Sequence, residues 1–105
     1  MYLYGMTPQL KKFLLRRKND ITNIVRGYII MRKMFIDNGV KDRQLQRGEG
    51  MTREMYMQRE RVIYDLKKLK SDARRFGLLD YEGSSSDFDD YFSNLLYRVD
   101  LKTPL

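Results

Sequence analysis

Two stretches of this chain repeat apolar residues at alternating steps of four and three, and that spacing restricts the fold more than any other feature. The first runs through Leu10, Leu14, Arg17, Ile21, Ile24, Tyr28, Met31 and Phe35. The second runs through Met55, Arg59, Val62, Leu66, Leu69, Ala73 and Phe76, with Tyr56 and Ile63 widening its apolar face. Such steps hold one stripe on one face of an α-helix, whereas a strand alternates at every second residue. No stretch of the chain alternates in that way. The fold class is therefore all-α.

Local punctuation sets the limits of each helix. Thr7 is suited to an N-cap, and Pro8 to the first helical position, where its missing N–H forfeits no hydrogen bond. The spacing predicts a first helix over 8–37, ending at Asp37-Asn38-Gly39, where Asn or Gly can adopt the left-handed conformation. Asn19-Asp20 and Gly27 are weak points within it, and a bend is expected near residue 19. Residues 38–51 hold three of the seven glycines and read as a connector with one helical turn at Lys41 to Leu45. A second helix follows over 52–76, with Gly77 placed to stop it. Residues 80–87 read as an acidic linker, with Asp87 as the N-cap of a third helix over 88–101. Phe88, Tyr91, Phe92, Leu95, Leu96 and Val99 supply the apolar face of that helix.

With 105 residues, of which 42% are hydrophobic, the chain has the length of a single domain. An unbroken helix over 8–36 would be about 43 Å long, and one over 53–76 about 36 Å. Both exceed a round globule whose radius of gyration is roughly 13 Å. The expected architecture is an antiparallel hairpin of two long helices plus a shorter C-terminal helix. Pairing with a second copy, a homodimer, would cover whatever stripe the third helix leaves open.

The charge is divided. Residues 1–79 hold 19 Lys and Arg against 8 Asp and Glu, and residues 80–105 hold 2 against 6. An antiparallel hairpin brings the start of the first helix beside the end of the second. Lys11, Lys12, Arg16, Arg17 and Lys18 would then share one end with Lys67, Lys68, Lys70, Arg74 and Arg75. Phosphates are the commonest ligands of such a cluster, because each contact releases condensed counterions. The expected function is therefore phosphate-backbone contact by a small nucleic-acid-binding or regulatory protein, through Lys11, Lys12, Arg16, Lys18, Lys67, Lys68, Lys70, Arg74 and Arg75. DNA and RNA are equally open, and an acidic protein surface is the competing partner. A solvated outer face is the plainer reading of any basic stripe. Arg17 and Arg59 occupy seam positions, and a hairpin turning near residue 44 sets Arg17 level with Asp72, so an interhelical pair is expected there.

The tail set Asp80, Glu82, Asp87, Phe88, Asp89, Asp90 and Tyr91 follows the cationic end closely. Two roles suit it: folding back to mask the cations, or docking on a protein partner together with the apolar seam. The second role belongs to the alternative function, a helical inhibitor or adaptor. Tyr2 and Tyr4 precede the first helix and suit either base stacking or closure of the bundle end.

Other chemistry is expected to be absent. Cysteine and histidine do not occur, which removes thiolate and imidazole nucleophiles and zinc ligands. A calcium loop counted from Asp80 fails at its sixth residue, Ser85, and its twelfth, Tyr91. No phosphate-binding glycine motif occurs. We therefore expect no metal, no cofactor and no enzymatic activity. No apolar window approaches the roughly 20 residues of a membrane span. With no cysteine and no signal-like N-terminus, a cytoplasmic location is expected.

Overall fold

A computed structural model describes residues 6–79 and 82–105, without the side chains of residues 42, 46 and 82–84. Among these residues the chain is all-α. It forms α1 (Pro8–Arg16), α2 (Lys18–Asp37), α3 (Asp42–Gln46), α4 (Arg53–Arg75) and α5 (Glu82–Lys102). The long pair α2 and α4 pack together as an antiparallel hairpin, and α5 packs on α2.

The caps explain the boundaries. Thr7 accepts a hydrogen bond from the Leu10 amide at 3.3 Å, and Thr52 accepts one from the Met55 amide at the same distance. At the other ends, Gly39 (φ 66°) and Gly77 (φ 73°) take the left-handed conformation. The next amide then reaches back to the helix, Val40 to the Phe35 carbonyl (3.0 Å) and Leu78 to the Ala73 carbonyl (2.9 Å). Each closure satisfies carbonyls that a helix end leaves open.

The long first helix is interrupted. Its break falls at Arg17 (φ −97°, ψ 26°), two residues before the weak point expected at Asn19. Restarting at Lys18 places Asp20 in the first turn of α2, where a carboxylate meets the positive end of the helix dipole.

α5 differs most from expectation. It begins at Glu82, so residues 82–87 are helical instead of a linker, and Asp87 lies inside the helix and does not cap it. Serine is only mildly unfavourable in a helix, and packing of an apolar face overrides so small a preference. Phe88 and Phe92 supply that face, both fully buried with ring centroids 4.9 Å apart. The early part of α5 meets the late part of α4 through Lys70 and Asp89. Its last turns meet α2, where Tyr28 donates to Asp100 at 2.6 Å. α5 thus runs parallel to α2 and antiparallel to α4, completing a three-helix bundle within one chain.

The core has two centres. One, at the α1 end, joins Leu10, Leu14 and Ile24 with Leu69, Ala73, Phe88 and Phe92. The other, under α3, joins Met31, Phe35, Val40 and Met55, with Leu105 against it. The two seams are therefore largely internal, with Arg17, Ile21, Tyr28 and Leu66 half-buried at their edges and Arg59 exposed. Phe76 departs from its seam: it is the C-cap residue of α4 and is 65% exposed. The molecule measures 42 × 25 × 24 Å, with a Cα radius of gyration of 15.0 Å. This is more drawn out than the roughly 13 Å of a round globule. No described helix is long and apolar enough to cross a membrane.

Candidate nucleic-acid interface

The interface begins at the Arg17 break. Its guanidinium forks between two carboxylates, with Nη1 donating to Asp20 at 2.9 Å and Nη2 donating to Asp72 at 3.0 Å. This is the pairing expected from helix register, and Arg75 joins it by donating to Asp72 as well. Hydrogen bonds to Asp20 and Asp72 raise the Arg17 pKa further above its ordinary value. For Asp72, burial alone would raise the pKa. Hydrogen bonds from Arg17 and Arg75 win, and the carboxyl titrates below the usual range. Arg17 also lies over the Phe13 ring, 5.2 Å from its centroid, and Phe13 packs against Phe76 at 6.0 Å. These contacts fix α1 to the C-terminal end of α4. The two cationic segments, far apart in sequence, therefore lie at the same end of the bundle.

The cations differ in what they touch. Lys70 is spoken for: its ammonium donates to both oxygens of Asp89, at 2.8 and 3.0 Å, and lies 5.9 Å from the Phe88 centroid. Arg75 is tied to Asp72. Lys11, Lys12, Arg16, Lys18, Lys67, Lys68 and Arg74 are exposed, and none forms an ion pair among the described residues. Helical spacing puts Lys67 and Arg74 on the outer side of α4, away from Leu69 and Ala73, with Lys68 on its flank. Lys68 also reaches a polar groove of about 280 Å³ that it shares with Arg17, Asp20, Asp65 and Asp72. Lys12 and Arg16 lie along a second groove, of about 390 Å³, walled by Phe13, Phe76 and Leu78.

The tail set divides as well. Phe88 is a core residue, so it is not available to a partner; its place four residues before Phe92 puts both rings on the inner face of α5. Asp89 makes the kind of contact to the cationic end that masking requires. Asp90 is exposed, and Tyr91 is half-buried with its ring edge-on to Phe92 at 5.0 Å. Burial pushes the Tyr91 phenol upward, and nearby Arg98 partly offsets that. Asp87 is half-exposed within the helix. Asp80, the Glu82 side chain, Tyr2 and Tyr4 lie outside the described residues.

Two features are not visible from sequence. Arg32, on α2, is buried, with its guanidinium 3.4 Å from Asp100 and donating to the Thr103 carbonyl at 2.7 Å. Tyr28 and Arg32 are one helical turn apart and both reach Asp100 near the end of α5, a convergence that only the packing of α5 reveals. Periodicity alone places Phe76 in the core, although the glycine after it marks the helix end and thus an outward cap position. Arg59 is exposed, with its Nη1 3.3 Å from Glu60. It also lines an apolar groove between α2 and α4.

The chain matches no known protein family, no curated protein and no solved structure.

Proposed function

We propose that this protein binds nucleic acid by its phosphate backbone, as a binding or regulatory protein and not as a catalyst. One observation carries the reading: Lys11, Lys12, Arg16, Lys18, Lys67, Lys68 and Arg74 gather at one end of the bundle, exposed and without carboxylate partners among the described residues. The buried cation Arg32, by contrast, is matched with Asp100. Phosphate contacts hold a strand in place without reading its bases, so the proposal concerns affinity and not sequence preference.

Docking on a protein partner through the apolar seam and the aromatic tail has less support, because Phe88, Phe92 and most seam residues are taken up by the chain's own core, with an apolar groove left at Arg59, Val62 and Leu66. A homodimer likewise has less to draw on, since α5 covers much of the stripe that a second copy would fill. The proposal needs only one copy.

A salt titration tests it. With about five phosphates contacted, affinity for a labelled oligonucleotide should fall by ~10²–10³ between about 50 and 200 mM salt. The triple variant Lys67→Gln, Lys68→Gln, Arg74→Gln should fold normally, bind more weakly and show a shallower slope. Binding that is indifferent to salt, or unaltered in the triple variant, would overturn the proposal.

A further inference from the structure

We infer that the groove at the α1–α4 junction holds an unpaired base, so that the nucleic acid bound by the cationic end is single-stranded. This rests on the reading above and adds to it a ligand class and a residue. Phe76 carries the inference. The left-handed Gly77 closes α4 one residue after it, which turns the ring outward at the cap and leaves it 65% exposed. One flank of the ring meets Phe13, whose centroid is 6.0 Å away. Phe13, Phe76 and Leu78 form the apolar walls of a groove of about 390 Å³, and Gln9, Lys12 and Arg16 line it with them. That volume falls in the range of about 300–1,000 Å³ typical of small-molecule sites.

Each part of this arrangement suits a stacked nucleotide. An aromatic ring offers a face on which any base can stack. Lys12 and Arg16 stand where the attached phosphates would run, and neither has a carboxylate partner among the described residues. Phe13 and the Arg17 guanidinium, 5.2 Å from its centroid, back the platform from within the fold and hold it in position. A duplex keeps its bases stacked on one another and has no free face to present, so only an unpaired base can use the ring. The polar groove beside it shares Arg17 and carries Lys68, but Asp20, Asp65 and Asp72 line it too, so the phosphates of the bound strand are held by Lys12 and Arg16 and not by that groove.

The test uses the full chain with three probes: a single-stranded oligonucleotide, a duplex of the same length, and inorganic polyphosphate as a charge-only ligand. Wild type should bind the single strand more tightly than the duplex. Phe76→Ala should weaken single-strand binding by about 5- to 100-fold and leave duplex and polyphosphate binding unchanged. Phe76→Leu, which keeps apolar bulk without a π face, should behave like the alanine variant. Phe76→Trp should retain affinity, and its indole, the only one in a chain that lacks tryptophan, should be quenched by the single strand alone. Unchanged single-strand binding in Phe76→Ala, with the salt response intact, would overturn this inference and leave the phosphate reading standing. An equal loss for all three probes would overturn it too, by making the ring a structural element. Failure to bind any of the three would overturn both.

Discussion

Gly27 shows how a single residue can mean the opposite of what local rules suggest. By propensity it weakens α2, since glycine in a helix interior is unfavourable by roughly 0.5–1 kcal/mol relative to alanine. In the folded protein it stands where α2 and α4 approach closely. A Cβ there would stand 3.2 Å from Val62 Cγ2 and 3.4 Å from Gln58 Nε2, and Gln58 donates to the Gly27 carbonyl at 3.0 Å. Gly27→Ala gains helix propensity against a small displacement of Val62, so its net effect should be slight. Gly27→Leu must push the helices apart and should lose about 1–3 kcal/mol, measured by urea unfolding. Asp72 gives a second prediction at this scale. Its folded pKa lies below the ordinary 3.8, so the stability it supplies is present above that value and is lost as pH falls through the folded pKa. Asp72→Asn should therefore be less stable than wild type at neutral pH. Its melting temperature should also drop less steeply below about pH 4. An equally steep drop in the variant would assign the acid lability to other carboxylates.

Among the elements, α5 is the least legible in the sequence. Composition marks residues 82–87 as a turn, because Gly-Ser-Ser-Ser carries no apolar period. Their helicity comes from the aromatic pair that follows, which ties the segment to the core. Phe88 and Phe92 are each 1% exposed, and Phe88→Ala should cost about 3–5 kcal/mol, read from the urea midpoint. Removing residues 82–105 takes Phe88, Phe92 and Val99 out of the core together, and should abolish the cooperative unfolding transition in circular dichroism. Any role of α5 as a mask must therefore be tested by substitution. Asp89→Asn frees Lys70 while sparing the buried rings, and should tighten oligonucleotide binding severalfold at low salt. Affinity unchanged in that variant would remove the masking role.

For the molecule as a whole, the question is whether two sequence-distant cation clusters act as one surface. They do if both contribute to a single counterion-release slope. Lys12→Gln with Arg16→Gln should lower that slope by up to about 0.9 for each phosphate no longer neutralised, as should neutralising the α4 stripe. Clusters serving separate ligands would leave one slope unaltered by the other's removal.

The two seams, the caps at Thr7, Gly39 and Gly77, and the level pairing of Arg17 with Asp72 are all readable in the chain, because each depends on helical periodicity or on the conformational preference of one residue. Tertiary structure alone decided the burial of Arg32 against Asp100, the close approach at Gly27 and the helicity of residues 82–87. Each of these depends on which surface another helix covers, and that is set by how three helices pack around two core centres. Spacing along a chain records the period of a helix; it does not record which neighbour lies across from it.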